Sequence, residues 1–173
     1  MPNENEFVLL ADPPWDVKFS RAGKSDHPDF QRLPQSSISK ILTEQEASAT
    51  VSVTFTLDIF LATELTRESP LPKWRLLIWD KKNPGAGWVV RRSHEPFILR
   101  YKEKWRPKRA IPSVLAFPRT DSRYATSKPV TLMVVLLEAI GLPVVDLFPG
   151  GGSAKTAAAI LGLGYSTVEE NRT

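Results

Sequence analysis

Short apolar or alternating runs take turns along the chain with segments whose apolar residues recur at helical spacing. Residues 7–11 (FVLLA) form a continuous apolar run, as expected of a strand buried on both faces. Residues 36–47 predict a helix with Ser36 at its start. Residues 50–56 (TVSVTFT) alternate and are β-branched, and so predict a strand, after which residues 57–68 return to helical spacing. Residues 74–79 predict a strand closed by the turn-rich Asn83-Pro84-Gly85-Ala86-Gly87, and residues 97–101 predict a further one. Residues 129–139 predict a helix with Pro129 in its first turn and Gly141 just past its end. Residues 144–148 follow as a buried strand, 153–161 as a small-residue helix ended by Gly162 and Gly164, and 165–168 as a last strand.

Strands and helices in alternation predict an α/β fold: a doubly wound, Rossmann-like, mostly parallel sheet with helices on both faces. The 15 prolines concentrate in segments 12–34 and 106–118, loops long enough to carry function. No repeat or low-complexity tract interrupts the pattern. At 173 residues, 42% hydrophobic and 24% charged, the chain fits one domain, residues 1–173, with an ordinary core. It has no cysteine, which excludes disulfides, thiolate zinc sites, iron–sulfur clusters and any Cys nucleophile. No apolar run approaches the roughly 20 residues of a membrane helix, and no basic stretch precedes the first apolar one. A soluble, cytoplasmic protein is expected, with no membrane partner.

Charge is unevenly spread. Residues 91–128 hold eleven Lys or Arg against three Asp or Glu, so the rest of the chain is net acidic. A solvated face is one reading. The other is a groove for a polyanion, with Arg91, Arg92, Arg106, Lys108, Arg109, Arg119 and Arg123 as its contacts. Trp88, Phe97, Tyr101, Trp105, Phe117 and Tyr124 are interleaved there and suit either stacking or core packing.

Two segments carry candidate chemistry. Asp12-Pro13-Pro14-Trp15 directly follows the first strand, and in doubly wound sheets ligands sit at the carboxyl ends of strands. The prolines stiffen the backbone and remove its donors, leaving the Pro13 carbonyl beside the Asp12 carboxylate as two acceptors for an exocyclic amino group. Trp15 offers a face for a planar base. The plain alternative is a strand-ending loop with Trp15 in the core. The second segment, Asp146-Leu147-Phe148-Pro149-Gly150-Gly151-Gly152-Ser153, is a strand, a glycine turn and a helix start. Glu169 ends the next strand, where an acid can grip ribose hydroxyls. A tight turn with no ligand is the alternative here.

Together these segments resemble the amino-directed DNA methyltransferases that use S-adenosylmethionine (SAM). Asp12–Trp15 matches that family's (D/N/S)-P-P-(Y/F/W) motif, and residues 148–152 its F-x-G-x-G motif. Their order, with Lys128-Pro129 opening a helix just before the second, is the permuted, beta-type arrangement. The stretch 79–87 followed by Arg92, His94-Glu95 and Ile98-Leu99 is also similar to the middle of these enzymes, so the resemblance spans nearly the whole chain.

The resemblance implies a class I SAM-dependent methyltransferase fold, SAM as cofactor, DNA as partner, and no metal. Asp12 and the Pro13 carbonyl would hold the target amino group, with Pro14 stiffening the motif and Trp15 stacking on an extruded base. Asp146, Phe148, Gly150, Gly152 and Ser153 would line the SAM site, with Lys128 at its carboxylate and Glu169 at its ribose. The D-P-P-W form implies the N6 amino group of adenine. Cytosine N4 or RNA adenine methylation are alternatives, as is a catalytically silent nucleic-acid-binding module. Cytosine carbon-5 methylation is excluded independently, because it needs a cysteine. The amine's lone pair is delocalised into the ring, and acceptors for its two hydrogens would localise it for a single in-line displacement. A base in duplex DNA must first be rotated out.

The match departs from the family at the end of the chain. A third strand is expected beyond Thr173 and is lacking, leaving an open edge for a loop or second subunit to cover, so a homodimer is possible. Base reading would fall to the loops at 12–35 and 102–127. His94 reads as structural, His27 as a loop residue near DNA, and Glu95 and Glu170 as solvated or structural. Trp74 and Trp79 read as core. The small size suggests a phage-encoded enzyme acting in a bacterial or phage-infected cell.

Overall fold

In the computed structural model, residues 6–15, 32–83, 89–119 and 127–168 are described. In chain order the elements are β1 (Val8–Ala11), α1 (Gln35–Glu46), β2 (Val51–Phe55), α2 (Ile59–Glu68), β3 (Lys73–Asp80) and β4 (His94–Tyr101). They are followed by β5 (Val114–Ala116), α3 (Val130–Ile140), β6 (Val144–Asp146), α4 (Ser153–Leu161) and β7 (Tyr165–Thr167). The seven strands form one sheet in the order β5-β3-β4-β2-β1-β6-β7. β1 runs parallel to β2 and β6, and β6 to β7. β4 is antiparallel to both β2 and β3, and β3 is parallel to β5. Six strands therefore point one way and β4 alone points back: a Rossmann-like, mostly parallel sheet, as the alternating pattern predicts.

Helices cover both faces. The larger core joins Val8, Leu10, Val51, Val53, Phe55, Leu77 and Phe97 to Leu132, Leu136 and Ile140 of α3 and to Ala154, Ala157 and Ala158 of α4. The smaller joins Ala11 and Trp15 to Ile38 and Leu42 of α1 and Leu61 and Leu65 of α2. The alternation of β2 explains the division: Val51, Val53 and Phe55 enter the large core, while Ser52 and Thr54 are buried beneath α1 and α2. There Glu46 and Arg100 form a buried ion pair at 2.5 Å, with Ser52 and Ser69 donating to Glu46 at 2.6 Å each. Arg100 also donates to the Thr54 hydroxyl at 2.6 Å and the Leu65 carbonyl at 3.0 Å.

Several boundaries differ from the sequence pattern. β5 lies inside the predicted loop 106–118, β3 begins at Lys73 and β4 at His94, and β6 stops at Asp146. α3 ends where Gly141 takes the left-handed conformation (φ 71°) and its amide bonds the Leu137 carbonyl at 2.7 Å. A Cβ there would also meet the side chain of Lys108 at 2.2 Å. Gly141→Ala is therefore expected to cost about 1 kcal/mol, read as a drop of about 3 °C in Tm. A Tm unchanged by the substitution would refute the strain argument.

Candidate active site

β1 and β6 are neighbours with Leu10 opposite Asp146, and the Leu147 amide donates to the Leu10 carbonyl at 2.9 Å. Both strands release their chains at the same end of the sheet, where Asp12-Pro13-Pro14-Trp15 leaves β1 and the glycine turn leaves β6. The two motifs therefore lie side by side. Lys128 joins them: its ammonium contacts both oxygens of Asp12, at 2.6 and 2.7 Å, and its carbonyl accepts the Ser153 hydroxyl at 2.6 Å.

That ammonium belongs to a longer ladder of alternating charge. It also lies 3.4 Å from Glu95 and 4.9 Å from the centre of the Phe55 ring. The other oxygen of Glu95 meets the ammonium of Lys81, and Arg119 approaches it at 3.6 Å. The Lys128 and Lys81 side chains are only 6% and 5% exposed, whereas Asp12 keeps 31%. Within the ladder, Asp12 is thus more open to a ligand than the two lysines that flank Glu95. Burial raises the Asp12 carboxyl above its ordinary value, with Lys128 opposing. Burial also acts against the charged form of Lys128, but Asp12 and Glu95 outweigh it and raise the ammonium.

The motif's own backbone is partly used. The Pro13 carbonyl accepts the Trp15 amide and the Pro14 carbonyl the Leu33 amide, both at 2.9 Å. A carbonyl oxygen has two lone pairs and a carboxylate about four, so Pro13 and Asp12 each retain acceptor capacity. Trp15 is 8% exposed and packs with α1 and α2, and its indole N–H finds no partner among the described residues. In this arrangement the ring is a wall of the small core, not the open stacking face that the motif suggests.

At the second motif, Asp146 is 3% exposed and accepts from the Phe148 amide and the Tyr165 hydroxyl, both at 3.1 Å. Gly152 sits at φ 75° and caps α4, and a Cβ there would meet nothing within 4 Å. Gly152 thus leaves room beside first-turn amides that have no partner one turn back in the helix. This cradle fits the polar end of a nucleoside cofactor. Glu169 lies outside the described residues. Lys128, expected at the cofactor's carboxylate, instead turns its ammonium to Asp12.

Of the seven basic residues expected to face nucleic acid, the six that the structure describes are not brought together. Arg91, Arg92 and Arg119 belong to the Asp12 end: Arg92 donates to the Leu57 carbonyl at 3.0 Å, and Arg119 lies beside Glu95. Arg106, Lys108 and Arg109 lie at the opposite end, where the Lys108 amide bonds Ala139 near the end of α3 and Arg109 pairs with Glu138 at 2.6 Å. The cause is the direction of β4, which carries the chain from His94 near Asp12 to Tyr101 at the far end. Arg123, His27 and Glu170 fall outside the described residues. Glu95 and Lys81 are the site residues that sequence reasoning missed. Their signal was their place at the two ends of the β3–β4 connection, one residue beyond Asp80 and one beyond His94.

Opposite pH effects follow. Burial pushes Asp146 up to about 6, against the Phe148 amide and Tyr165 hydroxyl. Burial acts the same way on Glu95, but Lys128, Lys81 and Arg119 prevail and hold it at about 2. The Asp146 contribution to stability is complete below its ordinary 3.8 and is lost as pH rises through about 6. The Glu95 contribution is complete above 4.5 and is lost as pH falls through about 2. Asp146→Asn should therefore shrink the fall in stability between about pH 3 and pH 7 by about 3 kcal/mol. Melting curves across that range check it, and an unchanged fall would remove Asp146 as its source.

No protein-family model and no curated protein sequence matches the chain. Among solved structures, the fold is similar to M1.HpyAVI in its complex with SAM, at a TM-score of 0.63 and 17% identity, covering 92% of this chain and 80% of that one. A second M1.HpyAVI structure matches at 0.60 and 16% identity, covering 92% and 78%.

Proposed function

We propose that the chain transfers a methyl group from SAM to the exocyclic N6 amino group of adenine in DNA. The observation that carries this reading is the placement of Asp12 beside the glycine turn, tied to it through Lys128 and Ser153, at one end of adjacent parallel strands. The similarity in fold to a protein solved with SAM supports the choice of cofactor. Asp146, Phe148, Gly150, Gly152, Ser153 and Glu169 would hold SAM, which when bound supplies an electrophilic methyl on a sulfonium.

The remaining work falls to the chain's own side chains. Asp12 and the Pro13 carbonyl accept the two amino hydrogens, which aims the nitrogen lone pair away from the ring. The Asp12 carboxylate also offsets the positive charge that grows on that nitrogen. Lys128 fixes the carboxylate in place and Glu95 fixes Lys128 from behind. Trp15 anchors the motif to the small core. Arg91, Arg92 and Arg119 at the rim suit phosphate contacts. The preference for adenine over cytosine rests on the D-P-P-W form alone.

Incubation with tritiated SAM and duplex DNA, single-stranded DNA or RNA tests the reading. Label in DNA, recovered as N6-methyladenine on nucleoside digestion, is the expected outcome. Label at cytosine N4 or in RNA would correct the substrate. Tight DNA binding without any label would refute methyl transfer and leave a binding module.

A further inference from the structure

Arg106, one of the basic residues that the fold carries away from Asp12, lines a separate concavity. A cavity of about 550 Å³ opens at the far end of β3 and β4, lined by Arg75, Leu99, Tyr101, Trp105, Arg106 and Ile111 among others. The rings of Tyr101 and Trp105 touch, with centroids 5.4 Å apart and planes inclined at 57°, and together make one aromatic side of the cavity. Both guanidiniums are held by backbone: Arg75 donates to the Trp74 carbonyl at 2.8 Å, and Arg106 to the carbonyls of Glu103 at 2.8 Å and Trp105 at 2.7 Å. Each uses one nitrogen for this, so the remaining donors of the fork keep a fixed direction. Glu103 is engaged by Lys73 at 2.9 Å. Residues 101–111 carry five Lys or Arg against that one acid, so the surroundings are strongly positive.

We propose that this cavity is a second nucleic-acid site, one that holds an unstacked nucleotide of a single strand. The base would lie against Trp105 and Tyr101, and the flanking phosphates against Arg75 and Arg106. Aromatic faces beside fixed cations match a ligand that is planar on one side and anionic on the other. A duplex keeps its bases stacked and offers no face to such a cleft, so a single strand is the better fit. The site stands apart from the Asp12 end: through Thr54, Ala11 is level with Ile98, three residues of β4 or about 10 Å short of Tyr101, and β2 and β4 lie between β1 and β3. It does not depend on methyl transfer.

Fluorescence anisotropy with the whole chain tests the proposal. Three labelled probes serve: a short oligodeoxythymidine, the same strand with abasic positions, and a duplex of equal length. The base-bearing strand should bind at least about fivefold more tightly than the abasic one. Arg75→Glu with Arg106→Glu should weaken single-strand binding at least about tenfold and flatten its log–log salt slope by about 1.4, the loss of two phosphate contacts. Trp105→Leu should cost about 5- to 100-fold. Trp105 also packs against the core, so melting curves accompany each variant, and the charge reversal on exposed arginines stands without it. Wild-type affinity and salt slope in the charge-reversed chain would overturn the proposal. Equal binding of the abasic and base-bearing strands would overturn it too, leaving a plain polyanion surface. So would loss of single-strand binding on Arg91→Glu with Arg92→Glu alone.

Discussion

Asp12→Ala should reduce methyl transfer about a thousandfold while the chain stays folded and its affinity for SAM changes by less than about threefold. The substitution removes an acceptor for the target amine and the negative charge nearest the nitrogen that becomes positive. Asp12→Asn separates these roles, because the amide oxygen still accepts a hydrogen bond but carries no charge. It should lose about a hundredfold. Lys128 keeps Glu95 at 3.4 Å in either variant, so its ammonium is not left without a counter-charge. Single-turnover rates with saturating SAM, together with SAM binding by calorimetry, give the comparison. Transfer above about a tenth of wild type in Asp12→Ala would remove this carboxylate from the mechanism.

The largest effect on stability should come from a different pair. Glu46→Ala leaves the Arg100 guanidinium, 1% exposed, without its carboxylate, and it also strands the hydroxyls of Ser52 and Ser69. Removing one member of a buried pair costs about 3–5 kcal/mol, here a fall of about 10 °C in Tm. Replacing both, as Glu46→Leu with Arg100→Met, should recover most of that loss, since neither charge is then buried alone. Chemical denaturation of the two singles and the double forms the cycle. A loss under about 1 kcal/mol in Glu46→Ala would show that water reaches the guanidinium.

Much of the architecture is legible because strand and helix periodicities differ sharply in this chain. β1, β2, α3 and α4 stand close to where apolar runs and glycine stops place them. β5 is not legible: Val114, Leu115 and Ala116 make too short a run to show a period, and they form a strand only because β3 presents an edge. The start of β4 is hidden for another reason. His94, Glu95 and Pro96 look like loop, yet Pro96 is tolerated because β2 has ended where its missing N–H would point, with Phe55 paired to Phe97. The buried side of β2 is equally concealed, since Ser52 and Thr54 read as solvent-facing until Arg100 and Glu46 arrive from distant positions.

The candidate site divides in the same way. Both motifs can be read locally, because proline and glycine declare their backbone needs in a few residues. Their adjacency depends on β1 pairing with β6, a contact across more than a hundred positions. Glu95 and Lys81 matter only through Lys128, and no short window contains all three. The basic segment misleads for a converse reason. Its residues are neighbours in sequence, but a strand running the length of the sheet sends them to opposite ends.

The described sheet closes on two very short strands, β5 and β7, each of three residues. A second chain seeking to extend the sheet would find only three rungs at β7, whereas on the other margin Lys73–Leu77 of β3 run past β5 with no strand beside them among the described residues. Fibril-like stacking is therefore poorly supported at β7, and at the β3 margin it would have to bring copies of Lys73 and Arg75 together against their own charge.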